Sequence, residues 1–304
     1  MKISSTNCRR GFARRAVLAG AALLAIGSVA AAQTLAPQPV PAQAPAKEGL
    51  AEIAGTRLYY WDTGGAGAPV VLLHPATGSA LTWVYQQPAF AAAGLRVIGY
   101  SRRGYFGSDP GSKDNPGVAS DDLDALVAHL GIPKFHAVSS AAGGGVALDY
   151  ALSHPEKLFS LAVTSSNGAG LTGRETAARA ASLTPEGFER MPPDFREIGP
   201  SYRAANPDGV RQWLALEHKA LVGELLRQKF AHTASAEGLG TIRVPTLIMT
   251  GDADLYSPPA LMRMMADQIP GSEFVIVPDS GHALYWERPD VFNRTVLEFI
   301  AKHQ

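Results

Sequence analysis

Five short runs along the chain are apolar at nearly every position: PVVLLHP (69–75), LRVIGYS (95–101), KFHAVS (134–139), LFSLAVTSS (158–166) and VPTLIMTG (244–251). A strand with one face in water alternates apolar and polar residues. A strand without that alternation is covered on both faces, which is the situation of parallel sheets. Between the runs lie segments of helical spacing, such as VASDDLDALVAHLG (118–131), which stops on a glycine, and GGGVALDYALSH (143–154). Strands alternating with helices predict an α/β fold, with a mostly parallel central sheet and helices on both faces. AEIAG and RLYYWDT, ahead of the first apolar run, read as a strand pair, and LTWVYQQPAFAAAG (81–94) reads as a helix.

The rhythm breaks once. Residues 168–241 are polar and proline-punctuated, with a predicted helix over DGVRQWLALEHKALVGELLRQKF (208–230). This stretch reads as a helical lid inserted over one end of the sheet. Alternation resumes with PALMRMMADQI (259–269), SEFVIVPDSGH (272–282) and PDVFNRTVLEFIAKH (289–303).

The first 32 residues stand outside this pattern. CRRGFARRAVLAGAALLAIGSVAAAQ has a basic start, an apolar run from Ala16, and Ala30-Ala31-Ala32 before Gln33. That is the layout of a signal peptide over 1–32, and Arg9-Arg10 followed by Gly11-Phe12 resembles a twin-arginine export signal. The expectation is cleavage near Ala32 and a periplasmic or secreted protein with no membrane attachment. The competing reading is an uncleaved anchor, although the run barely reaches the about 17 residues a span needs. Cleavage removes Lys2, Arg9, Arg10, Arg14 and Arg15, leaving 22 basic against 27 acidic residues. It also removes Cys8, the single cysteine, and with it any disulfide or thiolate chemistry. QTLAPQPVPAQAPAK opens a Pro/Ala-rich linker over 33–49, followed by the folded domain at 50–302. No basic run argues for nucleic acid.

Four blocks, in this order, resemble the α/β-hydrolase superfamily: VVLLHPATGSALTW (70–83), YSRRGYFGSD (100–109), LGIPKFHAVSSAAGGGVALDYALSHPEKL (130–158), and the pair PTLIMTGDADLYSPP with PDSGHALYWERPDVF. The resemblance covers about residues 50–302 and implies a general base at His282. It also implies an orienting acid at Asp254, with Asp252 as the competing turn residue. An oxyanion hole follows from the backbone N–H groups of Ala76 and Ala142. Where relatives have His-Gly, this chain has His74-Pro75. Proline lacks an N–H, but the expected donor is the next residue. His74 is expected to orient that loop. Ser101, where relatives often carry Asp, is a second departure.

The family places its nucleophile in G-x-S-x-G, on a strained turn whose neighbours two residues away are small. Counting from either flank puts Ser139 at the first small position, Gly143 at the second, and Ala141 at the nucleophile. Ser139 and Ser140 remain as fallbacks, or as capping and turn residues. Losing such a nucleophile costs about 10⁶ in turnover, roughly 8 kcal/mol of barrier. Three readings stay open. One is an enzyme in which the His282/Asp254 pair activates water or moves a substrate proton, including lyase or oxygenase chemistry. The second is a hydrolase attacking through Ser139 or Ser140, and the third is a ligand-binding pseudoenzyme. An alanine introduced in place of a natural serine is a further possibility. The retained His and Asp favour a hydrolase or hydrolase-like enzyme on a small, partly apolar carbonyl compound such as an ester, amide or lactone. Trp83, Tyr105, Phe106, Trp213, Tyr256 and Trp286 are candidates for an apolar pocket, or for ordinary core. No zinc-type cluster, P-loop or dinucleotide motif appears, so neither cofactor nor metal is expected.

Overall fold

The apolar runs become the inner strands of an eight-stranded sheet of order β1-β2-β4-β3-β5-β6-β7-β8. The computed structural model describes residues 38–304 apart from 54, 167–173, 224–225 and 233. The expected leader at 1–32 therefore lies outside the described residues. In chain order the first half holds β1 (Lys47–Ile53), β2 (Thr56–Asp62), β3 (Pro69–Leu73), α1 (Gln86–Ala92), β4 (Arg96–Tyr100), α2 (Ala119–His129), β5 (Phe135–Ser140), α3 (Ala142–Ser153) and β6 (Leu158–Thr164). Then come α4 (Arg174–Leu183), α5 (Pro193–Glu197), α6 (Pro200–Ala205), α7 (Pro207–Ala220) and α8 (Ala236–Leu239). The chain closes with β7 (Thr246–Gly251), α9 (Pro259–Ala266), β8 (Glu273–Val277), α10 (Leu284–Glu287) and α11 (Pro289–Ala301). β1 and β2 pair antiparallel, β2 joins β4 antiparallel, and β4 through β8 run parallel.

Both faces of the sheet are covered. In β3, Val71 and Leu73 enter one apolar core with Leu123, Val146 and Met262, while Val70 and Leu72 enter another with Phe90, Phe292 and Val296. Successive side chains of a strand point to opposite faces, so a strand feeding two cores is apolar throughout. β5 and β7 are buried at every position.

Three boundaries differ from the sequence expectation. β1 begins at Lys47, inside the stretch 33–49 read as linker, and the residues before it are fastened to the fold. Ala44 N–H donates to Gln87 Oε1 at 2.8 Å, and Tyr85 Oη donates to Gln38 O at 2.8 Å. The helix predicted over 208–230 stops at Ala220. Beyond it the chain crosses the loop after β4, with Phe106 N–H donating to Ala220 O at 2.8 Å and Val222 N–H to Gly104 O at 2.9 Å. The helix predicted over 81–94 is a single 3₁₀ turn, Ala80–Thr82, and the short α1.

Candidate active site

Ala141 stands where β5 turns into α3, with φ 49° and ψ −117°. An L-residue held there costs roughly 1–3 kcal/mol, so its surroundings must enforce the turn. Ala141 N–H donates to Thr164 O and Gly144 N–H donates to Ala141 O, each at 2.9 Å. Gly143 is needed for the close approach to β3, since a Cβ there would lie 2.1 Å from the Leu73 carbonyl oxygen.

The two fallback serines lie back in β5. Ser139 is fully buried and its Oγ donates to Ala162 O at 2.8 Å. Ser140 is also fully buried, and its Oγ has no hydrogen-bond partner among the described residues. Neither lines the cavity, of about 350 Å³, that Ala141 opens onto.

That cavity gathers Ala76, Ala141, Ala142, Glu197, Tyr256 and His282. The N–H groups of Ala76 and Ala142 donate to no described acceptor. Ala142 opens α3, where an N–H has no intrahelical partner. His74, one strand-end away, is fully buried and neutral: burial, then Arg102, holds its pKa well below the usual imidazole range. Its Nδ1–H donates to Pro75 O at 2.7 Å and its Nε2 accepts from Arg102 N–H at 3.0 Å. The imidazole thus ties the loop bearing Ala76 to the end of β4. Ser101 also acts on this loop, its Oγ accepting from Ala80 N–H at 3.1 Å.

His282 follows β8 and Asp254 follows β7. The imidazole Nδ1 lies 2.9 Å from Asp254 Oδ1 and 3.0 Å from Oδ2. Asp254 is held rigidly, because its Oδ1 also accepts from Tyr256 N–H at 2.9 Å and Ser257 N–H at 2.8 Å. Asp252 is exposed and instead accepts from Ser280 N–H at 3.3 Å.

Sequence reasoning missed Glu197, the last residue of α5. Its Oε2 lies 4.0 Å from His282 Nε2, and both side chains are buried. The backbone fixes this pairing. Ala283 N–H donates to Glu197 O at 2.8 Å, and Glu287 Oε2 accepts from Gly199 N–H and Gly281 N–H, both at 2.9 Å. Burial works against a charged imidazole, but Asp254 and Glu197 outweigh it and lift the His282 pKa to about 9. Burial raises that of Glu197, partly offset by the facing imidazole. No spacing rule ties an R-E pair in a proline-punctuated stretch to a histidine 85 positions on; only the fold brings them together.

Two further polar groups of the cavity went unremarked in the sequence. Ser165, after β6, has φ 46° and a buried Oγ with no partner among the described residues, and Arg196 has a buried Nε likewise without one while its Nη1 donates to Tyr256 Oη at 2.8 Å. Of the candidate pocket aromatics, Tyr256 alone lines this cavity. Trp83, Trp213 and Trp286 belong to the core, where large side chains fill the space between sheet and helices. Among the described residues no group of three His, Cys, Asp or Glu is placed to hold a metal ion.

The sequence matches the Alpha/beta hydrolase family over residues 70–295. It is 30% identical over 282 residues to the dihydrolipoyllysine-residue acetyltransferase component of the acetoin cleaving system of Pseudomonas putida, covering 86% of this chain and 71% of that one. It is 26% identical over 288 residues to the 2-hydroxy-6-oxononadienedioate/2-hydroxy-6-oxononatrienedioate hydrolase of Paraburkholderia xenovorans, covering 84% and 93%. Among solved structures it resembles a thermophilic esterase from Thermogutta terrifontis with malate bound, at a TM-score of 0.68 and 25% identity, covering 86% of this chain and all of that one.

Proposed function

The chain belongs to the alpha/beta hydrolase family, and from that premise we propose a hydrolase or hydrolase-like enzyme that acts on a small, partly apolar carbonyl compound without a side-chain nucleophile. One observation carries the reading: His282 is held between Asp254 and Glu197, while residue 141 offers only a methyl group to the same cavity.

The charge state supports it. A histidine that activates a serine must be neutral, yet His282, with its pKa at about 9, carries a proton at neutral pH. The group suited to take a proton is Glu197, a carboxylate made more basic by burial. In the proposed step, Glu197 removes a proton from a water molecule in the cavity. The water oxygen bonds to the substrate carbonyl carbon, and the carbonyl oxygen gathers negative charge against the N–H groups of Ala76 and Ala142. As the bond to the leaving group breaks, His282 Nε2–H donates to it. Glu197 then returns its proton to His282, and Asp254 keeps the ring oriented throughout. We propose the α4–α8 segment, which supplies Glu197, as the lid, and residues 1–32 as an export signal. Mass spectrometry of the native protein should then find an N-terminus near Gln33; a retained Met1 would refute export.

The test is turnover of a panel of small activated esters and lactones, with intact-protein mass measured during turnover. The expected result is product formation that His282→Ala abolishes, with no acyl adduct. An adduct on Ser139, Ser140 or Ser165, or unchanged turnover in a folded His282→Ala variant, would overturn the reading.

A further inference from the structure

A second cavity, of about 330 Å³, meets the first at Ala76 and Ala142, which line both. Its size falls in the range of small-molecule sites. Arg102, Arg103 and Arg227 line it, and among the described residues no acidic side chain does. Arg103 is neutralised: its Nε and Nη2 donate to Asp122 at 2.6 and 2.7 Å, and Gln228 Nε2 donates to the same carboxylate at 2.6 Å. Arg102 and Arg227 form no ion pair among the described residues.

Arg102 is nevertheless fixed in place. Its Nη2 donates to His74 O and Pro75 O, both at 3.2 Å, and its guanidinium carbon lies 4.9 Å from the centre of the Tyr105 ring. Carbonyl dipoles and a ring hold the cation without cancelling its charge. Arg227 comes from the segment beyond α7 that crosses the loops, pinned by Val222 N–H to Gly104 O at 2.9 Å and Lys229 N–H to Gly117 O at 3.1 Å. Tyr105, Val146 and Phe230 make the remaining wall apolar. A neutral ligand would use that wall alone and gain little from two guanidinium groups that have no ion-pair partner among the described residues. An anion needs them, because a charge brought against an apolar wall without a partner is costly. Guanidinium geometry matches a carboxylate in two parallel hydrogen bonds.

We propose that the second cavity is a subsite for a carboxylate carried by the substrate, so that the reacting compound is a carbonyl compound with an acid function at its other end. The proposal rests on the reading of the first cavity as the reaction site.

The test compares monomethyl adipate, an ester bearing one carboxylate, with neutral dimethyl adipate. Binding to the full-length protein is followed by calorimetry at low salt, and turnover of both is followed in parallel. The half-ester should bind about tenfold more tightly, the worth of one partly exposed charge-assisted hydrogen bond. Arg227→Gln, at an exposed position, should remove most of that preference, and Arg227→Glu should reverse it. Equal binding of the two esters, or a preference untouched in both Arg227 variants, would refute the subsite. Equal binding with His282-dependent turnover would refute the subsite alone. A preference abolished in Arg227→Gln, with turnover indifferent to His282→Ala, would keep the subsite and remove the reaction assigned to the first cavity.

Discussion

Replacing Glu197 by Gln keeps the shape of the side chain and removes one charge 4.0 Å from His282 Nε2. At that separation a unit charge pair is worth about 4 kcal/mol at an effective dielectric constant of about 20. Both groups are buried, so solvent screens this little. The charge lost should lower the imidazole pKa from about 9 to as little as about 6, the full effect of one unit charge at that distance. The measurement is a ¹⁵N NMR titration of the histidine side chains from pH 5 to 10, with His282→Gln identifying the resonance. Turnover separates the two parts Glu197 could play. As the base, its loss should cost about 10²–10⁴ in kcat at every pH, with KM little changed. If it only charged His282, the variant would keep its rate with a shifted pH optimum. An unmoved His282 midpoint would refute the coupling, and a full rate at a new optimum would refute the base.

Stability should follow the same groups. The folded-state pKa of His282 lies above its ordinary 6.5, at about 9, so its contribution of about 3 kcal/mol is complete below about pH 6.5 and lost as pH rises through about 9. Burial pushes Glu287 up from 4.5 to about 8 despite its two backbone donors, so the fold prefers it protonated and loses stability as pH climbs between those values. Glu287→Gln should therefore raise Tm at pH 8 relative to wild type and flatten its pH dependence in thermal melts; an equal loss of Tm at pH 5 and pH 8 would refute this. Ala141→Ser should become reactive toward a fluorophosphonate only at alkaline pH, when His282 loses its proton, and the wild type should stay unlabelled; rapid labelling of Ala141→Ser at pH 6 would contradict a charged His282.

The sheet was legible because burial on both faces leaves its mark on each strand separately: Val70 to Leu73 are all apolar since successive residues feed different cores. His282 and Asp254 were legible because each follows a strand in a short loop, where local sequence fixes position. The end of α7 was not. LVGELLRQK consists largely of good helix formers, and the chain leaves the helix to donate backbone hydrogen bonds to the Gly104 and Gly117 carbonyls, a tertiary preference that outweighs propensity. Glu197 was hidden for the same reason, its place being set by Gly199 and Gly281 in contact. A Cβ on Gly281 would lie 2.3 Å from Gly199 N. The tryptophans looked like pocket residues because composition cannot separate a core face from a cavity wall.

The turn at Ala141 has a consequence for how such a protein can change. Its positive φ is maintained by backbone groups of β6 and α3 and by the bare backbone at Gly143, none of which involves the residue's own side chain. The position therefore works as a socket: whatever small group is carried there is delivered to the same point, beside the free N–H of Ala142. Chemistry at this point can be exchanged by a single codon while the frame around it stays still. Selection on the reaction and selection on the fold act here on different atoms.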